Sequence, residues 1–106
     1  TYCANEKCAI VWVTLDMLKS LNIGEDEIEG LASIPRQIEG VLIGITMKEK
    51  EGGFFKISVR TNGNIDAAKF CSRFGGGGHK AAAGCSVNGS LEDVRSQLIK
   101  AAEETL

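Results

Sequence analysis

The sequence is poor in the residues that most often build metal centres. It holds one histidine, His79, and four loosely spaced cysteines: Cys3 and Cys8 have four residues between them, and Cys71 and Cys85 stand alone. Structural zinc asks for tighter CxxC-type pairs or companion histidines, so no metal site is expected in this chain. No secretory signal is visible, which makes reduced thiols the default, a cytoplasmic location the expectation, and Cys71 and Cys85 small core residues. Long apolar runs are missing too. None approaches the roughly 20 residues that span a bilayer, so no membrane partner is expected. Bulk positive charge is also lacking: a net charge of −2 argues against a general nucleic-acid coat, which presents a broad basic surface. Internal repeats and linker-like stretches are absent as well.

What is present reads as one domain, 1–106. At 106 residues, 43 % hydrophobic and 25 % charged, the chain has room for one modest core. It begins at Thr1 and not Met, so it is expected to be a piece of a longer protein or a processed product. Ala9 to Thr14 is an apolar, β-branched run and reads as a buried strand, with Tyr2-Cys3 pairing as a small hairpin. Thr14 offers an N-cap to a helix carrying Leu15, Leu18 and Leu21 and ended by Gly24. A second, acidic helix carries Ile28, Leu31 and Ala32, with Pro35 just beyond it. Val41 to Met47 reads as a strand, Glu49 to Gly53 as a turn, and Phe54 to Thr61 as the partner strand. There Phe55, Ile57 and Val59 alternate with Lys56, Ser58 and Arg60, so the apolar set faces the core and Ser58 and Arg60 project together from the other face. Asn62-Gly63 turns the chain into a short helix with Ala67, Phe70, Cys71 and Phe74 as its stripe, capped by Asn64 or Asp66. Ala81 to Ala83 leads into a strand at about Gly84 to Val87. Ser90 with Asp93 resembles a capping box for a last helix burying Leu91, Val94, Leu98, Ala101 and Ala102. The expected class is α/β, bordering on α+β: a small mixed β-sheet flanked by helices.

Charge is uneven along this framework. From Asp16 to Glu39 there are six acids against two bases, whereas Lys56, Arg60, Lys69, Arg73 and Lys80 meet only Asp66. A local basic excess of that size suits a small anion better than a long polyanion, unless it is a solvated face. Within it sits Gly75-Gly76-Gly77-Gly78-His79-Lys80. Glycine costs the most backbone entropy to order, and one would suffice to end the preceding helix. Four offer bare backbone N–H groups, with positive φ angles that would let them converge on an anion, and His79 and Lys80 add donors at the rim. The spacing is not that of a P-loop, since Ala81 follows Lys80, nor of GxGxxG, since position 80 is lysine. A flexible surface loop is the alternative.

The stretch Phe74-Gly75-Gly76-Gly77-Gly78-His79-Lys80-Ala81-Ala82-Ala83-Gly84 closely resembles the glycine-histidine signature of the C-terminal domain associated with DHH-family phosphoesterases, of the oligoribonuclease and pAp-phosphatase type. Ile34 to Val41 resembles that family's segment before the central strand, and Ser58-Val59-Arg60 its S-x-R strand, with Thr61 where serine is common. The resemblance covers the chain from about Tyr2 to Leu106. It implies a domain that closes over a nucleotide while an N-terminal DHH catalytic domain of the same parent chain holds two Mn²⁺ ions through Asp and His ligands. This chain carries no such ligand set, so by itself it is expected to bind and not cleave. No cofactor is expected in it, and Mn²⁺ is expected in the parent's catalytic domain. Carried over residue by residue, Arg60 would pair with a phosphate as a bidentate fork. Gly76, Gly77 and Gly78 would present backbone N–H groups, His79 would donate near the scissile phosphate, and Ser58 or Lys80 could assist. The implied partners are short RNA or DNA, or a nucleotide. A free-standing RNA- or nucleotide-binding module and a structural, homodimerising domain remain the alternatives.

Overall fold

Apolar, β-branched runs build the sheet, and their pairing places every functional candidate. The structure, a computed structural model, describes residues 2–3, 7–17 and 40–105. In chain order it shows β1 (Tyr2–Cys3), β2 (Cys8–Val13), β3 (Ile43–Lys50), β4 (Phe54–Thr61), a short helix α1 (Ala67–Ser72), β5 (Gly77–Gly78), β6 (Ala82–Asn88) and a helix α2 (Leu91–Thr105). Among the described residues the strands form one mixed sheet in the order β1-β2-β3-β4-β6-β5. Only β2 and β3 run parallel, and parallel neighbours require a crossover connection, here the chain between Val13 and Ile43. This is the expected α/β class with a mixed sheet.

Directly paired residues share a face of the sheet, so the register sorts the side chains. One face gathers Cys8 and Ile10 from β2, Ile43, Ile45 and Met47 from β3, Phe55, Ile57 and Val59 from β4, and Ala83, Cys85 and Val87 from β6. All are buried, under Ala67, Phe70 and Cys71 of α1 and Val94, Leu98, Ala101 and Ala102 of α2. Leu91 and Phe74, expected inside, are half-buried at the margin of this core. Ser90 Oγ accepts the Asp93 N–H at 3.2 Å and starts α2, while the Arg95 guanidinium lies 5.3 Å from the centre of the half-buried Trp12 ring and ties α2 to β2. On the second face burial is split. Ala9, Val13, Thr46 and Lys48 are buried, Lys56 and Ser86 are exposed, and Ser58 and Arg60 are half-buried.

Several boundaries differ from the expectation. The strand expected at Val41 to Met47 is β3, which starts at Ile43 and runs on to Lys50, because its ladder with β4 continues to Lys50↔Phe54 and the turn shrinks to residues 51–53, where Gly52 and Gly53 take φ of 103° and 82°. The strand expected at Gly84 starts at Ala82, since Ala82 and Ala83 pair with Arg60 and Val59. Thr14 does cap a helical turn: its Oγ1 accepts the Met17 N–H at 3.2 Å. The rest of that helix, the acidic helix and Ile34 to Glu39 lie outside the described residues. No helix among the described residues is long and apolar enough to cross a membrane.

Candidate functional site

The four glycines are not one device. Asp66 Oδ1 accepts the Lys69 N–H at 3.1 Å and opens α1. Past Ser72 the chain makes one more turn and closes it with two bonds, Gly75 N–H to Ser72 O at 3.2 Å and Gly76 N–H to Cys71 O at 3.0 Å, with Gly75 at φ 79°. That is a Schellman ending, so Gly75 is the left-handed helix stop. Gly76 is demanded by packing: a Cβ there would fall onto the Gly84 carbonyl oxygen and lie 2.5 Å from Cys85 Cβ. Gly78, at φ 150°, would bring a Cβ to 2.6 Å from Ala83 Cα. Gly77 is the exception. Its φ is not in the left-handed region and nothing lies within 4 Å of a Cβ placed on it.

The run also differs from the expected nest of converging N–H groups. Gly75 and Gly76 spend theirs on the helix end. His79 N–H donates to Ala82 O at 2.8 Å and Ala82 N–H to His79 O at 3.3 Å, which makes Lys80-Ala81 the loop of a tight hairpin. Antiparallel ladders alternate between bonded and non-bonded pairs, so Gly77 shares the bonded phase with Gly84, and the Gly78 N–H points out of the sheet edge. A single outward N–H replaces the nest, because the run is absorbed into an edge strand.

The register does bring several expected residues together. Arg60 pairs with Ala82, and Ala82 with His79, so these three form one cross-strand row on the second face. Ser58, Gly84 and Gly77 form the adjacent row. Ala82 and Gly84 thus floor a trough, with Arg60 and Ser58 on one wall and His79 and Gly77 on the other. The two walls stand about 10 Å apart at Cα by ladder spacing, within reach of a guanidinium and an imidazole converging on one anion. Arg60 is half-buried and its side chain makes no hydrogen bond or ion pair among the described residues, although a partly desolvated guanidinium normally finds an acceptor. No acidic side chain shares this face on β3, β4 or β6.

Lys80 lies elsewhere. It lines a cleft of about 590 Å³ between the start of α1 and the end of α2, together with Lys69, Arg73, Asp66 and Glu104. The basic excess read along the sequence is therefore two patches, with Lys56 and Arg60 on the sheet and the other three around this cleft. Arg73 is already engaged, donating to Ala101 O at 3.3 Å and pairing with Glu104 at 3.8 Å. Thr61, buried at 4 % exposure, does structural work: its hydroxyl proton is shared between Ile65 O at 2.8 Å and Lys80 O at 3.0 Å. The Lys80 carbonyl also accepts the Ala67 N–H at 2.6 Å, so β4, α1 and the hairpin tip are locked at one point. Sequence reasoning missed this lock, and also missed that Cys71 and Cys85 touch. Their thiols hydrogen-bond each other, and that bond together with burial pushes the Cys71 thiol up. Only a long-range contact could reveal either.

Comparison with known proteins agrees with the fold. Among curated proteins, the bifunctional oligoribonuclease and PAP phosphatase NrnA of Thermus thermophilus is 29 % identical over 83 residues, which cover 77 % of this chain and 25 % of that protein. This chain thus spans about a quarter of the length of that relative. An exopolyphosphatase-related protein of Bacteroides fragilis superposes with a TM-score of 0.80 at 24 % identity, over 92 % of this chain and 30 % of that one. The C-Ala domain of Aquifex aeolicus alanyl-tRNA synthetase superposes at 0.65 and 16 % identity, over 93 % of this chain and 89 % of that one. These two likenesses show a shared fold. The family model of the DHHA1 domain matches residues 5–106, a span that includes β4, the glycine run and both walls of the trough, and the chain belongs to that family.

Proposed function

We propose that this chain is the substrate-gripping part of a DHH-family phosphoesterase and holds the phosphate of a nucleotide or short oligonucleotide in the trough between β4 and β5. The observation that carries the reading is Arg60, half-buried and with no side-chain partner among the described residues, facing His79 across Ala82. A planar guanidinium presents two parallel N–H groups to a phosphate, and His79 adds a donor from the opposite wall. Gly77, free of any packing demand, lets a ligand approach the backbone closely. Ser58 adds a hydroxyl beside Arg60. The chain positions, and chemistry belongs to another domain. In such an enzyme the Mn²⁺ pair would be held by an N-terminal catalytic domain.

Chemical-shift mapping tests this directly. Titrating pAp or a 5′-phosphorylated dinucleotide should move the backbone resonances of Arg60, Gly77, Gly78 and His79, while the unphosphorylated nucleoside should not. Shifts confined to the cleft at Lys69 and Lys80, or none at all, would overturn the reading. In the same preparation, Mn²⁺ and a short oligonucleotide should give no hydrolysis; turnover by the pure chain would place chemistry here after all.

A further inference from the structure

The trough opens at one end onto the rest of β4. Arg60, Ser58, Lys56 and Phe54 occupy alternate positions of this strand and share the second face. Successive members are about 6.6 Å apart along the strand, close to the phosphate repeat of an extended single-stranded nucleic acid. Lys56 is exposed and makes no ion pair or hydrogen bond among the described residues. Phe54 is out of place for a solvent-side position. It is half-buried, outside the core, and flanked across the ladder by Lys50 and Asn88. Its ring lies beside the turn, where a Cβ on Gly52 would be 3.7 Å from Phe54 Cδ1. A position needing only a solvated face would carry a polar residue there.

Cations that follow a backbone, with an aromatic ring beside them, are what single-strand binding surfaces are made of: the charges hold phosphates and the ring stacks a base whatever its identity. Resting on the trough reading above, we infer that β4 forms a track for a single strand of at least three nucleotides. The terminal phosphate sits between Arg60 and His79, the backbone runs past Ser58 to Lys56, and a base stacks on Phe54. The track makes Phe54 and Lys56 the residues that select an oligonucleotide over a mononucleotide.

The test is affinity against length, measured on the whole chain with 5′-phosphorylated mono-, di- and tetranucleotides. The tetranucleotide should bind at least tenfold more tightly than the mononucleotide. Phe54→Leu, which keeps apolar bulk and removes the ring, should erase most of that gain, and Phe54→Tyr should restore it. Lys56→Ala should leave the mononucleotide unaffected and reduce the tetranucleotide's log–log salt slope by about 0.7, the value for one phosphate contact on a single strand. Equal affinity at all lengths, or a length gain that survives both Phe54→Leu and Lys56→Ala, would overturn the track. A mononucleotide affinity untouched by Arg60→Ala sinks the trough reading instead, so the two failures are distinguishable.

Discussion

Adding a methyl group at position 76 and at position 77 asks two different questions of the same loop. At Gly76 the methyl meets the backbone of β6 and the Cys85 side chain, and neither can swing away. Gly76→Ala should therefore cost on the order of 1–3 kcal/mol, as overpacking does. At Gly77 the methyl points into open space above the trough, so Gly77→Ala should change stability by no more than about 0.5 kcal/mol. Urea unfolding of the two variants, read beside nucleotide titrations, separates the roles: Gly77→Ala should fold normally and bind less well. Equal destabilisation by both would mean that the loop is architectural throughout. The sequence marks this run as unusual but treats its members alike, because the demands on Gly76 and Gly78 come from β6, several residues further along the chain.

At the scale of elements, what was legible in the sequence is what local chemistry decides. The alternation of β4 placed Ser58 and Arg60 on one face, Asp66 was one of two N-caps named for α1, and Ser90 marked the start of α2. What stayed hidden depends on pairing. Gly77-Gly78 has no strand propensity, and β5 exists only because β6 bonds to it. Thr61 looked like a spare hydroxyl in an S-x-R-like motif, yet it locks β4, α1 and the hairpin tip together. Thr61→Val should lower stability by about 0.5–1.5 kcal/mol, the usual worth of one hydrogen bond, and hydrogen exchange at Ala67 should quicken. The packing of α1 on β6 has a pH signature. The hydrogen bond with Cys85, and then burial, holds the Cys71 thiol up, while the same bond pulls Cys85 down, so the pair titrates as a unit that keeps its last proton. The unfolded chain releases that proton near the ordinary thiol pKa of about 8.5. Above that pH the unfolded chain has lost both thiol protons while the folded pair keeps one, so stability falls as pH rises further, and Cys71→Ala should make the alkaline decline shallower. A decline of equal steepness in the variant would show that the two thiols are not coupled.

For the molecule as a whole, charge is the property the sequence showed most clearly and placed least well. The basic excess between Lys56 and Lys80 is real, but the fold deals it to two surfaces, the second face of the sheet and the cleft at α1 and α2. Only the first faces the glycine run's edge strand. With a net charge of −2 and one domain's worth of contacts, long-range attraction is slight. Affinity of this chain alone for a dinucleotide should be in the millimolar range, about −4 kcal/mol. A nanomolar affinity for long RNA at physiological salt would instead identify a free-standing RNA binder.

The central claim is that Arg60 and His79, on opposite walls, grip one phosphate, and a double-mutant cycle measures that most directly. Dissociation constants for a 5′-phosphorylated dinucleotide are needed for the unsubstituted chain, Arg60→Ala, His79→Ala and the double variant, with melting temperatures alongside. Each single change should weaken binding about tenfold, or roughly 1.4 kcal/mol, at an unchanged melting temperature. If both hold the same phosphate, the double variant should lose less than the sum, with a coupling of at least about 0.5 kcal/mol. Strictly additive losses would put the two side chains on separate groups, and no loss from either would mean that the trough is not where the phosphate binds.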